Sequence, residues 1–188
     1  TLGAASLSTA SLTIAPSGIL TTGTGKTTIN PTGNLTLQSG GTANFNGNLT
    51  NAGILSLAGT HTWAAGTTFT NTGGTATFSS SPAAASAGHL SITVSAGTVK
   101  LASLDNLSTL TLNGGTTTLT GPDITSSLPP SIAVNATATL EFAASYNFDS
   151  LTAPTLTGAG LIIIDPGATL PLAVDTAFSD TIQINRTL

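Results

Sequence analysis

The side chains able to do chemistry are few and scattered. All seven carboxylates (Asp105, Asp123, Glu141, Asp149, Asp165, Asp175 and Asp180) lie beyond residue 104, and the chain has only three basic residues, Lys26, Lys100 and Arg186. Glycoside cleavage needs two carboxylates roughly 5 to 10 Å apart. Asp149 with Asp165, or Asp123 with Glu141, could approach one another on neighbouring turns of the chain, but no spacing marks either as a pair. His61 and His89 are the only histidines and have no carboxylate near them in sequence. A metal site needs three or four ligands, so both read as surface or loop residues. TTGTGKTT, residues 21–28, imitates a phosphate-binding loop, but Leu20 stands where the motif needs glycine, and a strand-turn-strand pattern follows where a helix should begin. Asp165-Pro166-Gly167 reads as a turn and not a cation ligand. Trp63, in THTWAAG, reads as a corner filler. Tyr146 falls in the longest irregular stretch and is the candidate for a loop contact that stacks on a sugar. No catalytic residue, cofactor or metal site is assigned.

Composition narrows the classes further. Of 188 residues, 38 are Thr, 20 Ser, 21 Gly and 12 Asn, nearly half the chain, while charged residues make up 5%. An ordinary soluble domain carries about 25% charged residues. The net charge of −4 is too small for the charge-driven disorder signature. Three basic residues cannot form a nucleic-acid footprint. The longest wholly aliphatic run is Leu161–Ile164, far short of the roughly 18 residues of a membrane helix. No basic stretch followed by an apolar one opens the sequence, so any signal peptide is expected to have been removed. The absence of cysteine excludes disulfide and thiolate-metal frameworks.

The elements that must position these side chains come from a repeat. An alternating strand, a turn rich in Asn, Pro and Gly, and a second alternating strand recur in LTIAPSGIL (12–20), INPTGNLTL (29–37), LTNAGILSL (49–57), FTNTGGTATF (69–78), ITVSAGTVKL (92–101), LTLNGGTTTL (110–119), IAVNATATLEF (132–142) and IIIDPGATLPL (162–172). Aligned on Gly18, Gly33, Gly53, Gly73, Gly97, Gly115, Thr137 and Gly167, the units average about 21 residues. Alternation by two means strand, one face in and one out. A period near 20 suits one coil of a solenoid, with equivalent strands stacked in parallel about 4.8 Å apart. The expectation is an all-β parallel β-helix (β-solenoid) of eight to nine coils in a single domain, 1–188. Coils are regular over 1–120 and less regular, with longer loops, over 121–188. Residues 79–89, 121–131 and 143–160 are expected to leave the coil as loops.

This alignment assigns columns. Thr13, Asn30, Thr50, Thr70, Thr93 and Thr111, followed by Ala133 and Ile163, form an outward ladder. Leu12, Ile29, Leu49, Phe69, Ile92, Leu110, Ile132 and Ile162 point inward before the turn. Leu37, Leu57, Phe78, Leu101, Leu119, Phe142 and Leu172 point inward after it. SLSTASLTIA at the start and TIQINRTL at the end read as strands and not as caps, so end-to-end stacking on copies of itself, or on neighbouring segments of a longer chain, is expected.

LTLNGGTTTLTG (110–121) and LTNAGILSLAGT (49–60) resemble the strand repeats of bacterial autotransporter passengers and filamentous-haemagglutinin-like adhesins. The resemblance is good over 12–119 and loose beyond. It implies a right-handed coil, secretion to the bacterial surface, and a non-enzymatic role as an adhesin rod segment or self-stacking fibre, with a host surface or glycan as a further partner. The family brings no catalytic residues or cofactor. A regular threonine face also suits ordered water, as in ice-binding solenoids, and carbohydrate-binding or carbohydrate-cleaving β-helices are the remaining alternative. No nucleic acid and no membrane span are expected.

Overall fold

The computed structural model describes residues 6–7, 10–83, 90–121, 130–147, 155–171 and 182–184. In chain order the strands are β1 Ser6–Leu7, β2 Ser11–Ile14, β3 Ile19–Thr21, β4 Thr27–Ile29, β5 Asn34–Leu37, β6 Thr42–Phe45, β7 Leu49–Asn51, β8 Ile54–Leu57, β9 Thr60–Trp63, β10 Thr68–Phe78, β11 Leu90–Leu101, β12 Leu107–Leu112, β13 Gly115–Leu119, β14 Ser131–Val134, β15 Ala138–Phe142, β16 Thr155–Gly158, β17 Leu161–Ile164 and β18 Ile182–Ile184. Every strand pairing is parallel. The chain is a parallel β-solenoid, as expected.

Three faces build each turn at the start of the coil. The first face stacks β1, β4, β7, β10, β11, β12, β14 and β16. The second stacks β2, β5, β8, β10, β11, β13, β15, β17 and β18. The third is the short sheet β3-β6-β9. β10 and β11 bend through the first corner and so belong to both long faces.

Strand alternation sends one set of side chains into the coil, where like stacks on like. On the second face Leu35, Leu55, Ala76, Val99, Thr117, Leu140 and Ile162 form one inward column, and Leu37, Leu57, Phe78, Leu101, Leu119, Phe142 and Ile164 the other. These side chains are buried, and all but Thr117 join one continuous apolar cluster along the rod. Fully burying a Leu or Phe contributes roughly 1.5–3 kcal/mol, so the columns supply the stability that an almost chargeless surface cannot.

The expected phase is right through the middle coils and wrong at both ends. Leu49, Phe69, Ile92, Leu110 and Ile132 share an inward column, as expected, but Thr27 precedes them and Leu156 follows. Ile29 sits in the adjacent column, and Leu12 and Ile162 lie on the second face. Ile164 takes the place expected for Leu172, which falls outside the described residues. The cause is the corners. The first corner has four residues between Ile29 and Asn34 but two between Asn51 and Ile54, so alignment on the turn glycine shifts the strand before it. Gly18 and Gly167 belong to a second corner, where Gly18 N–H donates to Ala15 O and Ala168 N–H to Asp165 O.

Close stacking restricts those corners sterically. Gly74 has φ +56°, and a Cβ there would lie 2.0 Å from the Gly53 carbonyl oxygen of the coil below. Only glycine lets one corner backbone rest on the next. The irregular stretches also differ from expectation. Residues 79–83 start on the coil, with Ser79 N–H donating to Leu57 O and Ala83 N–H to His61 O. Thr155–Gly158, expected within a loop, is the ladder strand β16.

Candidate functional site

The most regular surface is the pair of long faces, whose outward residues are set by register. On the first face Thr28, Thr50, Thr70, Thr93, Thr111, Ala133 and Thr157 line up. Four of the six expected ladder residues therefore share a column. The other two do not: Thr28 holds the place given to Asn30, which belongs to the longer corner, and Thr13 lies on the second face. There Thr13 begins the series Thr13, Thr36, Ser56, Thr77, Lys100, Thr118, Glu141 and Ile163. Ile163, expected on the first face, belongs to this series and is followed by Gln183 on β18.

Beside that series runs a second outward column: Ser11, Asn34, Ile54, Thr75, Thr98, Thr116, Thr139 and Leu161. The second face thus presents Thr-x-Thr at 75–77 and at 116–118. Rungs lie about 4.8 Å apart and alternate residues about 6.6 Å apart, so the hydroxyls stand in a two-column grid, interrupted at Ile54, Lys100, Glu141, Leu161 and Ile163 and with Thr118 largely buried. Within it Thr118 Oγ1–H donates to Glu141 Oε2 at 2.7 Å, and Lys100 lies one rung from Thr118. Alignment on one turn hides this grid: of its residues it assigns only Thr13 and Ile163 to an outward column, and that column to the first face.

Asparagine is expected in turns and, as Asn30, on the outward ladder, yet Asn51 and Asn71 point inward and are fully buried. Asn51 Nδ2 donates to Asn71 Oδ1 at 2.7 Å, and Asn71 Nδ2 donates to the Ala96 carbonyl at 2.7 Å. The available signal was parity: each stands two residues after an inward side chain, Leu49 or Phe69.

The aromatic and histidine residues also fall differently from expectation. Tyr146 is 1% exposed, with its ring edge-on to Phe142 at 5.5 Å. Its backbone N–H donates to Thr169 O. The apolar body of the ring extends the core, so Tyr146 does not offer a face for stacking a sugar. Trp63 fills the interior as expected, stacked on Phe45 at 4.3 Å. His61, expected at the surface, is buried beside it. Trp63 Nε1–H donates to His61 Nδ1 at 2.9 Å, and His61 Nε2 lies 3.0 Å from Ser80 O. Those partners require the neutral ring with its proton on Nε2, because the indole can only donate and the carbonyl only accept. Burial pulls the His61 pKa down to about 4, against the Ser80 hydrogen bond, which raises it.

TTGTGKTT runs from the last residue of β3 into β4 with no helix after it, and its Thr22 hydroxyl accepts from Asn46 N–H. Of the acids, Asp105, Glu141 and Asp165 are described; Asp123, Asp149, Asp175 and Asp180 lie outside the described residues, as do His89 and Arg186. Neither expected carboxylate pair is therefore placed. Among the described residues no group of three potential metal ligands occurs, and no helix is long and apolar enough to cross a membrane.

The class that the fold defines is a parallel β-solenoid with threonine-rich outer faces. No family model, no curated protein and no solved structure matches the chain.

Proposed function

We propose that this chain is a non-enzymatic structural segment of a secreted bacterial surface adhesin or self-stacking extracellular fibre. The observation that carries the reading is the parallel backbone ladder, which runs through rung after rung of both long faces with matching side chains stacked inside. Such a ladder resists extension along the rod, because many backbone bonds share the force. The outer columns of small hydroxyl side chains suit lateral packing, since they bring almost no charge to repel a neighbour. Copies of the chain are the first partners, and a host surface or glycan is the second. Electron micrographs of the purified chain test this. Rods or filaments with an axial repeat near 4.8 Å are the expected result, and compact two-lobed particles would overturn it. Release of sugar from a polysaccharide panel would overturn the non-enzymatic part.

A second reading is favoured by one specific observation, the Thr-x-Thr grid of the second face. Regular hydroxyl and methyl groups on a flat sheet can order water, so ice is the ligand of that reading. Thermal hysteresis by the purified chain, lost when Thr75 and Thr116 are changed to Lys, is its expected signature. Its absence disposes of the idea.

A further inference from the structure

The third sheet has its last strand at β9, among the described residues, and a side chain fastens that strand to the coil above. His61 Nε2–H donates to Ser80 O at 3.0 Å, Ser80 Oγ–H donates to Gly59 O at 2.8 Å, and Ala83 N–H donates to His61 O at 2.8 Å. Trp63 Nε1–H holds the other ring nitrogen, and the imidazole also lies edge-on to Phe78 at 5.8 Å. Adding a proton turns Nδ1 from acceptor to donor, so two N–H groups would face each other across 2.9 Å.

Among the described residues, β6, β9, residues 79–83 and Phe78 on β10 bring no other titratable or charged side chain. The segment packed on residues 79–83 brings one acid, Asp105, beside Asn106, whose Nδ2 donates to Pro82 O at 2.9 Å; residues 1–104 contain none. The other titratable side chains in that stretch are Lys26, in the turn before β4, Lys100, outward on β11, and His89, outside the described residues.

We propose that the Trp63–His61–Ser80 chain is an acid-released latch: protonation at Nδ1 drives the imidazole out of the core and parts β9 from the coil above, while the two long faces stay paired. The cause is local, because the proton is welcome only where the ring reaches water.

Trp63 is the only tryptophan, so its emission reads this site in the intact chain. On acidification its emission is expected to shift to the red with a midpoint near the His61 value of about 4, while the far-ultraviolet dichroism of the sheets stays constant. Hydrogen-exchange protection of the Ala83 amide, which donates to His61 O across the latch, corrected for intrinsic rate, is expected to fall about tenfold per pH unit below the ordinary histidine value. His61→Gln can still donate to Ser80 and accept from Trp63, but does not titrate, and both changes should vanish. Trp63→Phe keeps a ring on Phe45 and removes the opposing N–H, so the acid loss of Ala83 protection should become shallower. Carboxylates titrate in the same range, which is why the variants decide. Emission and protection unchanged down to about pH 3, or equal acid responses in wild type and His61→Gln, overturn the latch. Should His61→Gln not fold, an unaltered acid response in Trp63→Phe overturns it.

Discussion

Asn51 donates its side-chain amide to Asn71 at 2.7 Å inside the coil, one rung below it, where every other rung of that column is apolar or glycine. The pair sits where the strand register shifts at the first corner. There the ladder releases carbonyls, and the two amides take up those of Thr75 and Ala96. A buried carbonyl without a partner costs about 1–3 kcal/mol, so these asparagines hold the corner closed.

Asn71→Leu is therefore expected to destabilise the chain by about 2–3 kcal/mol, because it strands the Ala96 carbonyl and one N–H of the Asn51 amide. Asn51→Leu should cost less, since the Asn51 Oδ1 atom is itself buried without a partner. The double variant should cost less than the sum, with a coupling of about 1 kcal/mol in a double-mutant cycle of urea midpoints.

Thr117 makes the opposite case. Its hydroxyl is buried without a partner in an inward column between Val99 and Leu140. Thr117→Val keeps the shape and removes the uncompensated oxygen, and should stabilise by about 1 kcal/mol. A rise in Tm by calorimetry checks it, and a fall would contradict the burial argument.

Two corner glycines should respond differently to the same change. Gly167 has φ +85° but open space around its missing Cβ, so Gly167→Ala should cost only the left-handed backbone penalty, about 1–2 kcal/mol. At Gly74 the new Cβ would also meet the Gly53 carbonyl. Gly74→Ala should cost about 4 kcal/mol or fail to fold. Chemical denaturation of both variants separates strain from collision.

The His61 shift sets a pH dependence with a definite sign. Its folded pKa of about 4 lies below the ordinary 6.5, so between those values the unfolded chain binds more protons. Stability is then full above about pH 6.5, falls as pH drops toward 4, and levels off below, a loss of about 3 kcal/mol from this one group. Urea midpoints of wild type and His61→Gln at several pH values check it: the difference between the two slopes belongs to His61.

Much of the fold was legible in the residues themselves. Alternation by two determined strands, because neighbouring side chains on a strand point to opposite faces whatever surrounds them. Glycine with Asn or Pro determined corners, and the return of one unit at about 21 residues determined a stacked coil with Leu, Ile and Phe inside. The middle rungs, Thr50 to Thr111, follow from that alone.

What only the tertiary structure decided is phase. A corner of two residues and one of four carry similar composition, and each resets the alternation for the next strand. Which side chains meet is chosen by how the coil closes on the turn below. That choice sends Thr28 outward and Asn30 to the corner, Asn51 and Asn71 into the core, and Thr75 beside Thr77. It also buries His61 and Tyr146, whose types suggest a surface, because a polar tip with a partner and an apolar ring can complete a core as well as any aliphatic side chain. The composition dictated a threonine-rich exterior; closure of the coil decided which threonines stand together on it.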